Sequence, residues 1–251
     1  MIHIDLRGKR AAVVGGTSGI GRATAVRLAE AGAEVVTLSR RAAAPEVQAS
    51  PEVCARISHK QLDIVDSSQT AEVFAEIAAG GGLDITVHSA GVLAPGQMHD
   101  TDDELWHWHM RTNVDGVFYA VRESLRHMSS AGTGGKIVII GSVSGQVGNA
   151  GFAAYCASKG LLINLTRQLA LDYASDGINV NSVLPGFTDT EMTDIYSPDV
   201  KSLLADTIPA KKWARAEQIA DAALFLSSPL ADYIHGVNLP VDGGYVAGRP
   251  A

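Results

Sequence analysis

A tyrosine and a lysine four residues apart, in Tyr155-Cys156-Ala157-Ser158-Lys159, share one face of any helix that contains them. A phenol and an ammonium group then stand side by side. Thirteen residues upstream, Ser142 follows the apolar run 137–140, at the carboxyl end of a strand, where open parallel sheets place their ligands. Asn113 lies in the long helical stretch before that strand. A second constellation, Gly15-x-x-x-Gly19-x-Gly21, sits between an apolar strand run and a helical pattern, with Thr17, Ser18 and Ile20 inside the turn. Glycines there let the backbone approach a pyrophosphate, and the helix N-terminus offers free N–H groups and a positive dipole end. At the end of the next strand, an acidic side chain would bind a ribose 2′-hydroxyl and an arginine would accept a 2′-phosphate. That place reads Leu38-Ser39-Arg40-Arg41. It holds no carboxylate, and a guanidinium fork matches phosphate. Ser39 and Arg40 therefore point to NADP(H), with NAD(H) the alternative.

Short apolar runs alternate with longer amphipathic ones along the chain. Strands are expected at 11–14, 35–38, 57–63, 83–87, 137–140, 178–183 and 236–239. Helices are expected to run from the glycine turn to Ala31, with Gly32 as the stop, from a cap at Asp66 or Ser67 to about Ala79, and over about 102–128, 152–174 and 217–227. Strands separated by helices of this length mean βαβ units and a parallel sheet covered on both faces. The expected fold is α/β, a doubly wound, mainly parallel seven-stranded sheet. No Pro/Ser-rich linker or repeat divides 1–251, so one domain is expected, with the irregular stretch 187–212 as a mobile segment over the site.

Composition narrows the function. With 251 residues, 46% of them hydrophobic and 19% charged, the chain can bury a large core. A net charge of −7 argues against a nucleic-acid or anionic-membrane surface. Two cysteines, Cys54 and Cys156, exclude a disulfide framework and a four-cysteine metal site. The start, Met1 to Arg7, has no apolar leader run, and no later stretch is long enough to cross a membrane, so a cytoplasmic protein is expected. The balance suits a small-molecule ligand, with no metal.

With these pieces in order, the chain resembles the short-chain dehydrogenase/reductase family, in its main branch, over essentially its whole length. The matching pieces are the glycine turn, Asp63 after the third strand, Asn113-Val114-x-Gly116, Ser142, Tyr155-x-x-x-Lys159, Pro185-Gly186 with Thr188 and Thr190, and Val241-Asp242-Gly243-Gly244. The resemblance implies that Tyr155 is the general acid in carbonyl reduction and, as phenolate, the base in alcohol oxidation. A tyrosine that titrates near neutrality needs its pKa lowered by about 3 units, roughly 4 kcal/mol. Lys159 and the positive nicotinamide ring are its sources, since nearby cations favour the phenolate. Lys159 also binds the nicotinamide ribose, Ser142 holds the substrate oxygen, and Asn113 holds a water leading to Lys159. Asp63 and Ile64 flank the adenine, Ser89, Ala90 and Gly91 pass beside the ribose, and Pro185, Gly186, Thr188 and Thr190 hold the nicotinamide side. A homotetramer through the helices of Asn113 and Tyr155 is implied.

The chain departs from the family pattern in places. His88-Ser89-Ala90-Gly91 stands where the family has Asn-Asn-Ala-Gly, and His88 is expected to brace the sheet with a hydrogen bond like the one it replaces, a new catalytic role being the alternative, since a histidine there can titrate near pH 6.5. Val14 replaces a frequent threonine. Trp106-His107-Trp108-His109 looks like a metal or stacking cluster, but alternate residues face different sides of a helix, so it is read as surface or subunit contact. Cys156 is expected to be buried and inert. The segment 141–160 is similar to 3-oxoacyl-(acyl-carrier-protein) reductases, whose carrier-docking basic residues correspond to Thr133 and Asp176. Neither is basic, which disfavours an acyl carrier protein as partner. The family's substrate-facing positions are Ser144, Gln146, Phe152, Phe187, Met192 and Tyr196. This mixed, fairly apolar set has no cation for a carboxylate or phosphate, so a neutral ketone or secondary alcohol is expected, with cyclic and aromatic ones among the candidates. The alternatives are an NAD(H)-dependent polyol or hydroxysteroid-type dehydrogenase and a non-catalytic nucleotide-sensing regulator.

Overall fold

The computed structural model describes residues 3–43 and 46–248; of the amino-terminal stretch read above, Met1 and Ile2 lie outside them. Along the chain it forms β1 (Arg10–Val14), α1 (Gly19–Glu30), β2 (Glu34–Ser39), α2 (Pro51–Ala55), β3 (Ile57–Gln61), α3 (Ser67–Ala79), β4 (Ile85–His88), α4 (Asp103–Met110), α5 (Gly116–Ala131) and β5 (Gly135–Ile140). There follow α6 (Ala153–Tyr173), β6 (Ile178–Pro185), β7 (Thr188–Asp189), α7 (Pro198–Thr207), β8 (Ala214–Arg215), α8 (Ala216–Leu226) and β9 (Asn238–Val241). Seven strands pair in the order β3-β2-β1-β4-β5-β6-β9, every pair parallel, and β7 and β8 make a separate parallel pair. The chain builds outward from β1 to β3, then returns to place β4 on the other side of β1. That reversal opens a crevice at the carboxyl ends of β1 and β4.

Alternation along the strands divides the core. Ala12, Val14, Val36, Leu38, Ile137 and Ile139 face one side, where Phe74 and Ile77 of α3, Val121 and Leu125 of α5 and Leu162 of α6 cover them. Ala11, Val13, Val35, Val87 and Val138 face the other, under Leu28 of α1 and Ile219 and Ala223 of α8. Successive strand side chains point to opposite faces, and a sheet buried on both accepts only such apolar runs. The doubly wound architecture expected from the sequence is the one the chain adopts.

Three features differ from the expectation. The single helix over 102–128 is two helices joined by a π-turn at Arg111–Asp115. A short helix, α2, precedes β3, its side-chain cap supplied by Ser50 with a proline at the first position. The stretch 187–212 is also less irregular than its composition suggests. It contains β7, a 3₁₀ turn at Glu191–Thr193, and α7, capped by Ser197 and again opened by a proline.

Candidate active site

A cleft of about 1080 Å³ lies over the carboxyl ends of β1, β4, β5 and β6. At one end stands the glycine turn, with Gly15, Thr17, Ser18, Gly19 and Ile20 in the wall. Gly15 has φ +75°, and a Cβ there would lie 2.6 Å from the Ala90 nitrogen, so turn and β4 loop meet backbone to backbone. Gly21 stands outside the lining. A Cβ on it would lie 2.1 Å from the Gly15 carbonyl oxygen, so its lack of side chain serves helix–strand packing. Ser18 is the N-cap of α1, its side chain makes no cap bond, and no acidic residue occupies the helix's first turn. The N-terminal N–H groups therefore face the cleft with their dipole unneutralised by that turn. Ser39, Arg40 and Arg41 form the mouth beside the turn, and Arg41 Nη1 donates to the Thr17 carbonyl at 3.4 Å. Asp63, Ile64, Ser89, Ala90 and Gly91 complete this half, while Pro185, Gly186, Thr188 and Thr190 line the other. The glycine cradle and the N-terminus of α1, beside which Thr190 and the Arg22-paired Glu191 carboxylate lie, fit the pyrophosphate of a dinucleotide.

The family-matched polar residues converge at the floor between these halves. Ser142 follows β5, is buried, and its Oγ accepts from the Ser144 N–H at 3.1 Å. The Tyr155 ring shows part of its surface to the cleft, and Lys159 Nζ lies 5.9 Å from the ring centroid. Lys159 is buried and donates to the Ile140 carbonyl at 3.1 Å. Burial lowers its pKa to about 8, so its charge is costly here. The phenol's pKa runs opposite to expectation. Burial pushes it above the ordinary value, with the neighbouring Ser142 hydroxyl pulling the other way. In this state the protein cleft holds both groups toward their neutral forms, and the ammonium is turned to a carbonyl.

Asn113 falls in the π-turn rather than in a continuous helix. Fully buried, it donates from Nδ2 to Val92 O and Ser158 Oγ, both at 3.0 Å, and accepts from Val92 N–H at 2.8 Å. It thus ties the segment after Gly91 to α6.

His88 corrects the expected brace. It is wholly buried, and neither ring nitrogen meets a hydrogen-bond partner among the described residues. Burial first, and the nearby Lys159 charge second, lower its pKa from 6.5 to about 3. A depressed histidine holds the fold best above its unfolded pKa; stability drains away as pH falls from 6.5 toward 3, because the unfolded chain takes up the proton first. Relative to His88→Met, the parent is therefore expected to lose about 2 kcal/mol between pH 7 and pH 5. Denaturant midpoints of the two proteins across that range check it; parallel curves would contradict it.

The Trp-His cluster also needs correction. His107 and Trp108 are exposed at the cleft rim, but His109 is fully buried. Its Nδ1 lies 2.9 Å from the Leu105 carbonyl, its Nε2 accepts from Ala94 N–H at 3.2 Å, and its ring meets Tyr155 edge-on at 6.4 Å. Cys156 is only partly buried.

Of the expected substrate-facing residues, Ser144, Phe187, Met192 and Tyr196 line the cleft; Gln146 and Phe152 do not. Gln146 ends the 3₁₀ turn after Ser142 and is exposed, and Phe152 pairs its backbone with Gly96 at the head of α6. Leu93, Val147 and Tyr245 line the wall and were not anticipated. Phe187 meets Trp213 and Tyr245 at ring separations of 5.1 and 5.5 Å, so the wall is aromatic.

Comparisons with known proteins agree with this fold. A family model described as enoyl-(acyl carrier protein) reductase matches residues 14–246. The chain is 39% identical over 240 residues to cis-4-hydroxycyclohexanecarboxylate dehydrogenase of Sinomonas cyclohexanicum, covering 94% of this chain and 96% of that one. A crystal structure of a short-chain type dehydrogenase/reductase from Mycobacterium marinum superposes with a TM-score of 0.92 at 33% identity, covering 97% of this chain and 98% of that one. A putative 2-deoxy-D-gluconate 3-dehydrogenase from Agrobacterium tumefaciens, with bound NADP, superposes with a TM-score of 0.87 at 33% identity and the same coverage. The relatives are dehydrogenases and reductases, 3-oxoacyl-(acyl-carrier-protein) reductase of Escherichia coli among them at 37% identity over 243 residues, in a family that uses nicotinamide cofactors. Among the described residues, no helix is long and apolar enough to cross a membrane. With its parallel sheet, its glycine turn and its Ser142–Tyr155–Lys159 cleft floor, this chain belongs to the short-chain dehydrogenase/reductase family and is an oxidoreductase.

Proposed function

We propose that the protein transfers a hydride between NADP(H) and a neutral ketone or its secondary alcohol, with Tyr155 as general acid and base. The observation that carries this reading is the placement of the Ser142 hydroxyl and Lys159 about the Tyr155 phenol, in the cleft that the glycine turn opens. A bound nicotinamide supplies or accepts the hydride. Ser142 donates to the substrate oxygen and orients it against the phenol. Tyr155 gives its proton to that oxygen during reduction and takes it back during oxidation. Lys159, released from the Ile140 carbonyl, binds the nicotinamide ribose and steadies the phenolate. The free lone pair of Asn113 Oδ1 holds a water that leads to Lys159.

Arg40 and Ser39 at the mouth take the 2′-phosphate, which favours NADP(H) over NAD(H). Phe187, Met192, Tyr196 and Ser144 enclose an uncharged ring or chain. The positions equivalent to carrier-docking cations, Thr133 and Asp176, are exposed and not basic, which supports a free small substrate rather than one on an acyl carrier protein. Exposed Phe118 on α5 and Leu161 and Leu171 on α6 support assembly into a homotetramer through these helices. We place the enzyme in the cytoplasm, as one domain over 1–251.

NADPH oxidation across cyclic, aromatic and open-chain ketones tests the reaction; no turnover with either reduced cofactor would overturn it. Fluorescence titration tests the cofactor. NADPH is expected to bind at least about tenfold tighter than NADH, as a charge-assisted phosphate contact commands. Arg40→Asp is expected to reverse the order, and an unchanged order would overturn the assignment.

A further inference from the structure

The last rung between β2 and β3 is the bond from Leu62 N–H to the Ser39 carbonyl at 2.8 Å. Beyond it the chain leaves the sheet, and the backbones of Arg40 and Arg41 have lost their neighbouring strand. Two side chains of β3 take over. Gln61 Nε2 donates to the Arg40 carbonyl at 3.0 Å, and His59 Nε2 meets the Arg41 carbonyl at 2.8 Å. His59 and Gln61 are two apart on an edge strand, hence on one face, and they reach successive carbonyls of the departing loop. A third bond, from Arg41 N–H to Ser39 Oγ at 3.3 Å, closes the turn.

The donor role of His59 Nε2 follows from its other nitrogen. Nδ1 lies 3.1 Å from Thr37 Oγ1, directly across the ladder, where Thr37 pairs with His59. With the imidazole neutral, Thr37 donates to Nδ1 and the ring hydrogen sits on Nε2. With it protonated, Nδ1 donates to Thr37, which turns its own hydrogen to the Ser58 carbonyl at 3.0 Å. In both cases Nε2–H points at Arg41.

We infer that His59 and Gln61 are positioning residues for cofactor choice, holding the Arg40–Arg41 backbone so that both guanidinium groups stay at the cleft mouth for a ribose 2′-phosphate. The inference rests on the NADP(H) reading and assigns part of that selectivity to side chains that touch no cofactor. Without the two tethers, the loop must be ordered at the moment of binding, and only the ligand that uses the arginines feels that cost. A pair of such bonds corresponds to about a threefold to tenfold effect.

The test is fluorescence titration of NADPH and NADH on the parent, His59→Leu, Gln61→Met and the double variant. Ser58→Ala, which removes a bond from the same strand to the Val35 carbonyl, is the control. The double variant is expected to lose about fivefold in NADPH affinity with NADH affinity unchanged. His59→Gln, which keeps a donor, is expected to recover most of the single loss, and Ser58→Ala to keep the parent ratio. A double variant with the parent's NADPH:NADH ratio, or one that weakens both ligands equally, would overturn the inference. A parent that does not prefer NADPH would instead sink the cofactor reading itself, so the two failures are separable.

Discussion

Replacing Tyr155 by phenylalanine is expected to lower kcat about a thousandfold while NADPH affinity stays within about twofold of the parent. The ring that packs edge-on to His109 is retained, so fold and cleft shape survive. Only the proton is lost, and a positioned acid contributes about 10²–10⁴ to such a step. Cleft water is a poorer acid there, because the fold does not hold it beside Ser142 and Lys159 as it holds the phenol. Stopped-flow NADPH oxidation at saturating ketone, with the Kd from fluorescence, separates the two quantities. A variant turning over like the parent would show that the proton comes from elsewhere.

Lys159→Met separates stability from activity. The ammonium is buried, its pKa is lowered to about 8, and its folded-state hydrogen bond goes to one carbonyl. A lysine depressed in this way destabilises the fold below pH 8; the penalty fades as pH rises from 8 toward the unfolded value near 10.5. Removing the charge is therefore expected to stabilise the ligand-free protein at pH 7 by about 2 kcal/mol, after subtracting the cost of an unpaired Ile140 carbonyl. The same substitution is expected to cut kcat/KM for alcohol oxidation about 10²-fold or more, since the phenolate loses its nearest cation and the ribose its donor. Thermal denaturation and steady-state kinetics on one preparation check both. A loss of stability together with full activity would contradict the role given to this residue.

Much of this arrangement is legible in the residues. Runs such as Ala11-Ala12-Val13-Val14 and Ile137-Val138-Ile139-Ile140 carry a strand because a sheet covered on both faces tolerates little else. The strand–turn–helix around the glycines is legible because their spacing records close approaches of backbone. Local signals for α2 and α7 were also present: Ser50-Pro51 and Ser197-Pro198 are each a side-chain cap followed by proline at the first helical position. The π-turn at Arg111–Asp115 was hidden, since the apolar period of a helix survives one wide turn.

Other facts depend on partners distant in sequence. His109 is read as surface from its neighbours, yet the Ala94 amide and the Tyr155 ring draw it inward. His88 differs from an asparagine brace because its buried ring meets no donor or acceptor among the described residues. The direction of the Tyr155 pKa depends on burial, which no motif records.

The measurement that bears most directly on the phenol–ammonium pair is an ultraviolet titration of tyrosinate in the NADP⁺-bound enzyme, with the Tyr155→Phe trace subtracted. One tyrosinate is expected in the difference, with a pKa well below the ordinary value of about 10, absent without the cofactor and moved upward in Lys159→Met. Identical traces for parent and Tyr155→Phe below pH 9 would contradict it.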